Sequence, residues 1–273
     1  MPPPTRITSR QHAVVKRFRQ AAAHATAGEI LLDGEHLVAD ALRADALIDV
    51  LVTDGGFPAL AGRARSLGAH VYEATTAVIE AASPVRTPSG IIALARWSPI
   101  ALRAALDGAA PCVLGLCRVQ DPGNVGSIIR AADAFGATAV LALDGSAHPG
   151  GWKTLRGAMG STFRVPIALG ASADALAEAR ARGLRVVATV ATGGAPPADV
   201  DLRQPTMLLL GGEGAGLSDE LVAQCDARLT IPMRAGVESL NVAATAAVLL
   251  YEIARQRAPQ TAARSLPAGP RRT

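Results

Sequence analysis

The chain contains 273 residues, of which 49% are hydrophobic and 18% charged, and its formal net charge is +4. A chain of this length can bury one large core or two smaller ones, and typical domain sizes favour two. It has no run of about 18 consecutive apolar residues, so the sequence predicts no membrane span. The N-terminal segment MPPPTRITSR lacks the apolar centre of a secretory signal, and we therefore expect a cytoplasmic protein.

Arginine carries nearly all of the positive charge, since Lys16 and Lys153 are the only lysines. The planar guanidinium group binds phosphate through two parallel hydrogen bonds, so this bias suits an RNA-binding protein. A GC-rich genome would produce the same bias, and the many alanines and glycines agree with that explanation. Charge alone therefore permits a nucleic-acid partner without identifying one.

The cysteines and histidines show no pattern of a disulfide framework or a metal site. Cys112 and Cys117 lie in one apolar run, PCVLGLC, and Cys225 stands apart. An odd number of cysteines without paired spacing argues against disulfides, and the five histidines show no metal-ligand spacing. We expect buried, reduced thiols and no metal.

The first segment, residues 1–98, alternates predicted helices and strands. It opens with the basic stretch ITSRQHAVVKRFRQ, in which Val14, Val15 and Phe18 can share one helical face while Lys16 and the arginines stay solvated. EILLDGEHLVADALRAD follows as a strand and a helix, and then come strand DVLVTD, helix FPALAGRARSLG, strand HVYEA, helix ATTAVIEAA and strand GIIALAR. This alternation predicts a small α/β domain.

Residues 99–110 contain no strand of their own and are flanked by prolines, and we interpret them as a linker. A second alternation fills residues 111–258, with predicted strands PCVLGLC, TAVLAL, FRVPIAL, RVVATV, TMLLLGG and ARLTIPM. Strands that are apolar throughout predict a largely parallel sheet with helices on both faces. The Pro-, Ala- and Arg-rich tail, residues 259–273, is predicted to be disordered.

Residues 121–130, DPGNVGSIIR, directly follow a predicted buried strand. Pro122 and Gly123 favour a turn, after which we expect a helix that begins close to Asn124 as its N-cap. Arg130 lies about a turn and a half further on, where its donors can reach a phosphate or a reacting hydroxyl at the sheet edge. Taken alone, the segment favours a simpler interpretation, a capped helix with one solvated arginine.

Residues 210–218, LGGEGAGLS, also lie between a predicted strand and a predicted helix. Four glycines in six positions permit positive φ angles and a close approach of the backbone to a ligand. The segment lacks the Gly-Lys-Ser/Thr ending of a P-loop and the G-x-G-x-x-G spacing of a dinucleotide-binding loop, which disfavours both kinds of site. Glu213 fits a charge partner at a helix N-terminus or an anchor for active-site donors, and a plain loop is the alternative.

Residues 231–242, IPMRAGVESLNV, lead into a long predicted helix that ends near Arg257. Pro232 terminates a strand, and Ser239 or Asn241 can cap the helix by accepting a backbone N–H. The helix contains the small-residue stretch AATAAVLL, so another helix can approach it closely. The small residues on this helix face are explained either by close packing in the core or by a contact between two copies of the chain.

These three segments, in this order, resemble the motifs of the SpoU (TrmH-like) family of RNA ribose 2′-O-methyltransferases, which belongs to the SPOUT superfamily. The resemblance covers residues 111–258 through DPGNVGSIIRAADAFG, LLLGGEGAGLSDELVAQCD and IPMRAGVESLNVAATAAVLLYEIARQR. LLDGEHLVADAL and TPSGIIALA also resemble the RNA-substrate-binding domain that precedes the catalytic domain in thiostrepton-resistance and RlmB-type members. Residues 1–98 are therefore expected to bind the RNA.

The resemblance implies a parallel α/β sheet whose C-terminal part forms a deep trefoil knot, a feature too rare to be predicted from sequence pattern. It also implies S-adenosylmethionine (AdoMet) as the methyl donor, no metal, an RNA substrate and a homodimer. The preceding RNA-binding domain favours RNA of the large ribosomal subunit. The alternatives are a transfer-RNA 2′-O-methyltransferase, an enzyme that methylates a base nitrogen, and a non-catalytic RNA-binding protein of the same fold.

Carried over position by position, Gly211, Ile231 and Leu240 match residues that line the AdoMet pocket in the family. Further pocket residues are expected beside them and at the end of strand RVVATV, namely Gly216, Met233, Thr189, Val190 and Ala191. The polar positions around the reacting ribose correspond to Asn124, Arg130, Glu213, Ser239 and Asn241.

Arg130 matches the residue that in the family is proposed to act on the 2′-hydroxyl as a base helped by a substrate phosphate. An arginine stays protonated in proteins, which makes the role of a base costly. We therefore predict that Arg130 fixes a substrate phosphate and stabilises the developing alkoxide. Asn124, Ser239 and Asn241 are expected to position Arg130 and the loops, and Glu213 to anchor that network.

Overall fold

The computed structural model describes residues 5–23 and 28–258, which form two sheets. The tail that the sequence predicts to be disordered, residues 259–273, lies outside the described residues, and its disorder stays a prediction. Among the helices of the described residues, none combines the length and the apolar character that crossing a membrane requires.

The first sheet has the strand order β1-β4-β3-β5-β2. β4 pairs in parallel with β1 and β3, and β5 runs antiparallel to its neighbours β3 and β2. The elements are β1 (Thr5–Ile7), α1 (Ala13–Ala23), β2 (Gly28–Asp33), α2 (Glu35–Arg43), β3 (Ile48–Thr53), α3 (Pro58–Ser66), β4 (His70–Ala74), α4 (Thr76–Ala82) and β5 (Ile91–Trp97). The short strand β1 was not predicted; it ends at Ile7, the first residue of the stretch for which the sequence indicated a helix.

Helix α1 packs on the first sheet because Val15 and Phe18, three positions apart, share its buried face. Arg17, which the sequence predicted to be solvated, is instead half-exposed and forms ion pairs with Glu29 of β2 and Asp49 of β3. The helical period identified the apolar face correctly, whereas the two carboxylates that hold Arg17 come from strands distant in the sequence.

The second sheet has the strand order β11-β9-β10-β6-β7-β8, and every pairing between its strands is parallel. The elements are α5 (Leu102–Ala105), β6 (Cys112–Cys117), α6 (Pro122–Phe135), β7 (Ala139–Leu143), α7 (Trp152–Ala158), β8 (Ile167–Gly170), α8 (Ser172–Ala181), β9 (Arg185–Thr189), β10 (Thr206–Gly211), α9 (Asp219–Ala223), β11 (Ala227–Leu229) and α10 (Val242–Arg257). The predicted α/β class with a parallel sheet is confirmed. The trefoil knot stays a prediction with which this strand order is consistent.

The segment interpreted as a linker, residues 99–110, packs against the second sheet. It contains helix α5, and Leu106 is only 1% exposed. The N–H of Ile100 donates to the carbonyl oxygen of Ile167 at 2.8 Å. Burial of Leu106 removes apolar surface from water, and most of this segment is thereby fixed to the sheet that follows it.

Helix α7 follows β7 of the second sheet but also packs against the first. Leu155 is fully buried in a core cluster of the first sheet, and Trp152 packs against a second cluster there. On its other side α7 contacts α6 through Gly126 and Gly157. A Cβ atom on Gly126 would lie 2.4 Å from the carbonyl oxygen of Thr154, so only glycine permits this approach. Helix α7 therefore connects the two sheets.

The three cysteines are free in the structure. Cys112 and Cys117 are buried in β6, as predicted, whereas Cys225 is half-buried, which corrects the expectation for that residue. Burial raises the pKa of the Cys117 thiol to about 11, so this thiol stays protonated at neutral pH.

Candidate active site

Three loops meet at the carboxyl edge of the second sheet, because neighbouring parallel strands end on the same side. Cys117, the last residue of β6, pairs with Gly211, the last residue of β10, and β9 lies on the other side of β10. The chain places β7 and β8 on one side of β6 and β9 to β11 on the other. Open α/β sheets bind ligands at such a reversal of strand order.

A cavity of about 370 Å³ lies at this edge. It is bordered by all the residues that the sequence assigned to the AdoMet pocket, namely Thr189, Val190, Ala191, Gly211, Gly216, Ile231, Met233 and Leu240. Of the predicted polar residues, Glu213, Ser239 and Asn241 line the same cavity. The structure thus brings segments that are distant in sequence around one space.

Several lining residues were not among the pocket residues expected from the sequence. Thr245 and Leu249 follow Asn241 at intervals of four along the start of α10, so all three lie on the helix face toward the cavity. The helical period, counted from Asn241, would have predicted that Thr245 and Leu249 also line the cavity. The remaining lining residues are Leu210, Gly212, Gly214, Leu229 and Val242.

Asn124 connects the three motif segments through its side-chain amide. Its Nδ2 donates to Oε1 of Glu213 at 2.5 Å, and its Oδ1 accepts from Nδ2 of Asn241 at 3.0 Å. Oδ1 of Asn241 accepts the N–H groups of Ala243 and Ala244 and so caps α10. Both ends of the Asn124 amide are therefore fixed, which sets its orientation beside the cavity.

Helix α6 begins at Pro122 with Asp121 as its N-cap, so the prediction that Asn124 is the N-cap is wrong. Oδ1 of Asp121 accepts the N–H of Asn124 at 2.8 Å. Pro122 suits the first helical position because its φ is already helical and it brings no N–H that would need a partner. With Asp121 as the cap, the side chain of Asn124 is available for the bonds to the other two segments.

The glycine-rich loop makes its closest approaches to its own chain. A Cβ atom on Gly211 would lie 2.2 Å from the carbonyl carbon of Gly216, and one on Gly212 would lie 1.9 Å from the carbonyl oxygen of Arg118. The backbone of Gly214 has a φ of +83°, which glycine adopts without strain. Gly211 and Gly212 are therefore required by the packing of the loop against its own chain, in addition to the approach to a ligand expected from the sequence.

Two of the predicted catalytic residues, Asn124 and Arg130, do not line the cavity. Asn124 is hydrogen-bonded to two residues that do, whereas Arg130 is not in this network. Arg130 is exposed on α6, six positions after Asn124, which corresponds to about 9 Å along the helix axis and about 120° of rotation. Arg130 therefore lies on a different face of α6 from Asn124.

Two further carboxyl groups near the ends of β7 and β10 have lowered pKa values but do not line the cavity. The N–H of Ser172 donates to Asp144 at 2.7 Å and lowers its pKa. The pKa of Glu220, at the start of α9, is lowered by hydrogen bonds from the backbone N–H of Glu220 and from the hydroxyl of Ser218. In the part of the chain that the structure describes, no group of three or more His, Cys, Asp or Glu residues is arranged to hold a metal ion.

Residues 111–251 match the family described as the SpoU rRNA Methylase family. The matched region contains all the residues that line the cavity. The chain belongs to the SpoU family. The resemblance inferred from the three motif segments is thereby confirmed.

Two named relatives of this SpoU protein act on ribosomal RNA. The 23S rRNA (guanosine(2553)-2′-O)-methyltransferase RlmP of Bacillus subtilis is 34% identical over 224 residues, which cover 82% of this chain and 87% of RlmP. The 23S rRNA (uridine(2479)-2′-O)-methyltransferase of Streptomyces viridochromogenes is 40% identical over 146 residues, which cover 51% of each chain.

Solved structures resemble this SpoU protein over almost its whole length. An AdoMet-bound rRNA methyltransferase from Sinorhizobium meliloti has a TM-score of 0.85 and 31% identity, covering 93% of this chain and 99% of that one. The SpoU methyltransferase AviRb from Streptomyces viridochromogenes, in complex with AdoMet, has a TM-score of 0.80 and 28% identity, covering 90% of this chain and 99% of that one. Coverage this high includes both sheets.

Proposed function

We propose that this SpoU protein transfers a methyl group from AdoMet to a ribose 2′-hydroxyl of ribosomal RNA. The observation that carries the proposal is the hydrogen-bonded network of Asn124, Glu213 and Asn241 beside a cavity that the second and third SpoU segments line. The relatives named as 23S rRNA 2′-O-methyltransferases support the same reaction and the same class of RNA.

The cavity fits AdoMet in size and in chemistry. Its volume of about 370 Å³ lies within the range of about 300–1,000 Å³ that is typical of small-molecule sites. Its walls combine aliphatic side chains, such as Ile231 and Leu249, with the backbone of the glycine-rich loop. An adenine ring can pack on the aliphatic walls, while backbone groups can bind the polar atoms of a nucleoside. The AdoMet held by two similar structures supports this assignment.

AdoMet supplies a methyl group that is already activated by a positively charged sulfur. The chain's own task is therefore to hold the 2′-hydroxyl oxygen in line and to keep water away. Asn124, fixed by Glu213 and Asn241, has one amide N–H and one lone pair left in set directions, with which it can orient a hydroxyl. Ser239 lines the cavity beside this network and adds a hydroxyl of its own.

We also infer that the protein works as a homodimer and that Arg130 acts at the boundary between the two copies. Val248 and Tyr251 on α10 are 43% and 59% exposed, large fractions for apolar and aromatic side chains. The ring of Tyr251 packs edge-on against Phe135 of α6, with centroids 6.0 Å apart, so the two helices form one face. A two-fold contact through this face would bury its apolar side chains and place the exposed Arg130 beside it.

The proposal is tested with ribosomal RNA that lacks the modification, isolated from cells in which the gene is deleted. Incubation with methyl-labelled AdoMet is expected to place the label in dinucleotides that resist alkali and nucleases, because a 2′-O-methyl ribose blocks cleavage of the adjacent phosphodiester. Label found on a base, or in transfer RNA but not in ribosomal RNA, would contradict the proposal. Mapping the methylation lost on deletion identifies the nucleotide.

A further inference from the structure

A second cavity, of about 750 Å³, lies where the first sheet meets helix α7. One wall consists of residues 33–37 and Asp40, at the end of β2 and in α2, and of Ser89 from the loop before β5. The other wall is α7 and the residue that follows it, Met159. This cavity shares no lining residue with the candidate active site, so it is a separate binding space.

Close contacts at both ends of α7 hold the two walls of this second cavity. A Cβ atom on Gly150 would lie 2.9 Å from Cγ2 of Ile30, and one on Gly160 would lie 2.2 Å from a carboxylate oxygen of Asp40. Between these points Leu155 is buried in the core of the first sheet. Packing on both sides fixes the width of the cavity, which is therefore formed before any ligand arrives.

The walls offer an aromatic surface, cations and a hydrogen-bond acceptor. The half-buried ring of Trp152 lies 5.5 Å from Nζ of Lys153, and Arg156 is exposed about one turn further along α7. From the other wall comes Asp33, whose Oδ2 accepts the hydroxyl of Ser83. Burial raises the pKa of Asp33, which means that the carboxylate is poorly solvated. A ligand that donates N–H groups to it would compensate for that loss of water.

These groups together match the parts of one nucleotide. RNA bases stack on aromatic side chains, and phosphate binds lysine and arginine. Guanine alone among the four RNA bases has two adjacent N–H donors, N1–H and the exocyclic amine, that can meet both oxygens of a carboxylate. We propose that the second cavity binds an unpaired guanosine nucleotide of the RNA substrate, with its base stacked on Trp152 and hydrogen-bonded to Asp33 and its phosphate near Lys153 and Arg156. This inference rests on the proposed function, since it assigns the nucleotide to the same RNA.

The second cavity adjoins the candidate active site through helix α6. Gly157 lines the cavity, and a Cβ atom on it would lie 3.3 Å from the carbonyl oxygen of Gly123, the residue before Asn124. A guanosine in the second cavity is therefore separated from the Asn124 network by about the diameter of one helix, roughly 10 Å. A nucleotide held there comes from the same loop of RNA as the methylated ribose and fixes the position of that loop.

Nucleoside monophosphates test the inference without methyl transfer. The Trp97→Phe variant leaves Trp152 as the only tryptophan, so its fluorescence reports on the second cavity. Saturating S-adenosylhomocysteine keeps the nucleotides out of the candidate active site during the titration. Guanosine monophosphate is expected to quench the fluorescence saturably and to bind at least about tenfold more tightly than the adenosine, cytidine and uridine monophosphates, because only guanine pairs bidentately with Asp33.

The variants Asp33→Asn and Arg156→Gln test whether the second cavity binds guanosine in the proposed way. Asp33→Asn is expected to lose the preference for guanosine, whereas the matched control Asp174→Asn, at an exposed carboxylate on α8, retains it. Arg156→Gln changes an exposed side chain, and it should weaken binding of guanosine monophosphate but not of guanosine; it carries the test if Asp33→Asn does not fold. Absence of saturable quenching, equal affinity for the four nucleotides, or an unchanged preference in Asp33→Asn overturns the inference.

The two proposals fail separately. A protein that binds guanosine monophosphate through Asp33 but methylates no ribosomal RNA overturns the proposed function alone. A protein that methylates ribosomal RNA but binds the four nucleotides equally overturns the guanosine site alone.

Discussion

Nδ2 of Asn241 donates a 3.0 Å hydrogen bond to Oδ1 of Asn124, which joins two residues 117 positions apart in the chain. The same side chain caps α10 through its Oδ1, which accepts the N–H of Ala243 at 2.9 Å. One residue therefore fixes both the start of a long helix and the orientation of the amide beside the cavity. Substitutions that separate these two tasks test the network directly.

Asn241→Ala is expected to lower the free energy of unfolding by about 1 kcal/mol, because the helix loses its cap, and to lower methyl transfer as well. Asn241→Asp keeps an oxygen for the cap but cannot donate to Asn124. It is expected to retain stability while methyl transfer falls about a hundredfold. Urea unfolding and single-turnover rates measure the two effects. Wild-type rates in Asn241→Asp would show that the bond to Asn124 is not needed.

Gly211→Ala places a methyl group 2.2 Å from the backbone of Gly216. The loop must shift, so we expect a loss of about 1–3 kcal/mol in the free energy of unfolding and a loss of AdoMet binding in calorimetry. The control is Gly62→Ala in α3, where a Cβ atom meets no atom within 4 Å. That change should raise stability by about 0.5–1 kcal/mol. Wild-type AdoMet affinity in Gly211→Ala would contradict the assignment of the cavity.

Arg130→Ala and Arg130→Lys are expected to lower kcat by about a hundredfold or more, since each removes the planar donor that stabilises developing charge. AdoMet affinity should not change, because Arg130 does not line the cavity. Arg65→Ala, at a partly exposed arginine on α3, serves as the control. Turnover near that of the wild type in both Arg130 variants would exclude a catalytic role.

Val248→Glu is expected to yield a monomer in sedimentation, because it places a charge in the proposed contact face of α10. The monomer should bind AdoMet but lose methyl transfer. Leu47→Glu changes a side chain that is 63% exposed in the first half of the chain, and it should leave the sedimentation coefficient unchanged. A monomer with full activity would refute the requirement for a dimer.

Burial lowers the pKa of His148, so the folded protein favours the neutral imidazole. Below the unfolded-state pKa of about 6.5, the unfolded chain binds a proton that the folded chain does not bind. Stability is therefore expected to fall as the pH decreases, until the folded-state pKa is reached. His148→Asn keeps an acceptor for the N–H of Gly150 without titrating. Urea unfolding between about pH 7.5 and 5.5 should show a steeper loss for the wild type; parallel curves would contradict this.

The family resemblance supplied the residues around the cavity, and the fold explains why they converge, because the three motif segments follow strand ends and parallel strands bring their ends to one edge. The sequence did not predict that Gly212 packs against the backbone of Arg118. That contact depends on the register of β10 against β6, which pairs Gly211 with Cys117 and so brings the loop to the carbonyl oxygen of Arg118. Register between strands about 90 residues apart has no local signal in a sequence.

Helix α6 shows a second limit of sequence patterns. Both Asp121 and Asn124 are good caps, and only the observed bond from the N–H of Asn124 to Asp121 distinguishes them. The direction of Arg130 relative to Asn124 follows from the helical period once that start is known. Likewise, no local pattern around Leu155 indicates that this residue, on a helix that follows β7 of the second sheet, enters the core of the first sheet.

The position of Leu155 ties the stability of the two halves of the protein together. Cutting the chain between the sheets would leave a cavity in the first core and expose Leu155 on the second half, so each piece is expected to be less stable alone than in the whole chain. On its opposite side α7 contacts, through Gly157, the helix that carries Asn124. The core of the first sheet and the helix that positions Asn124 are therefore both supported by α7.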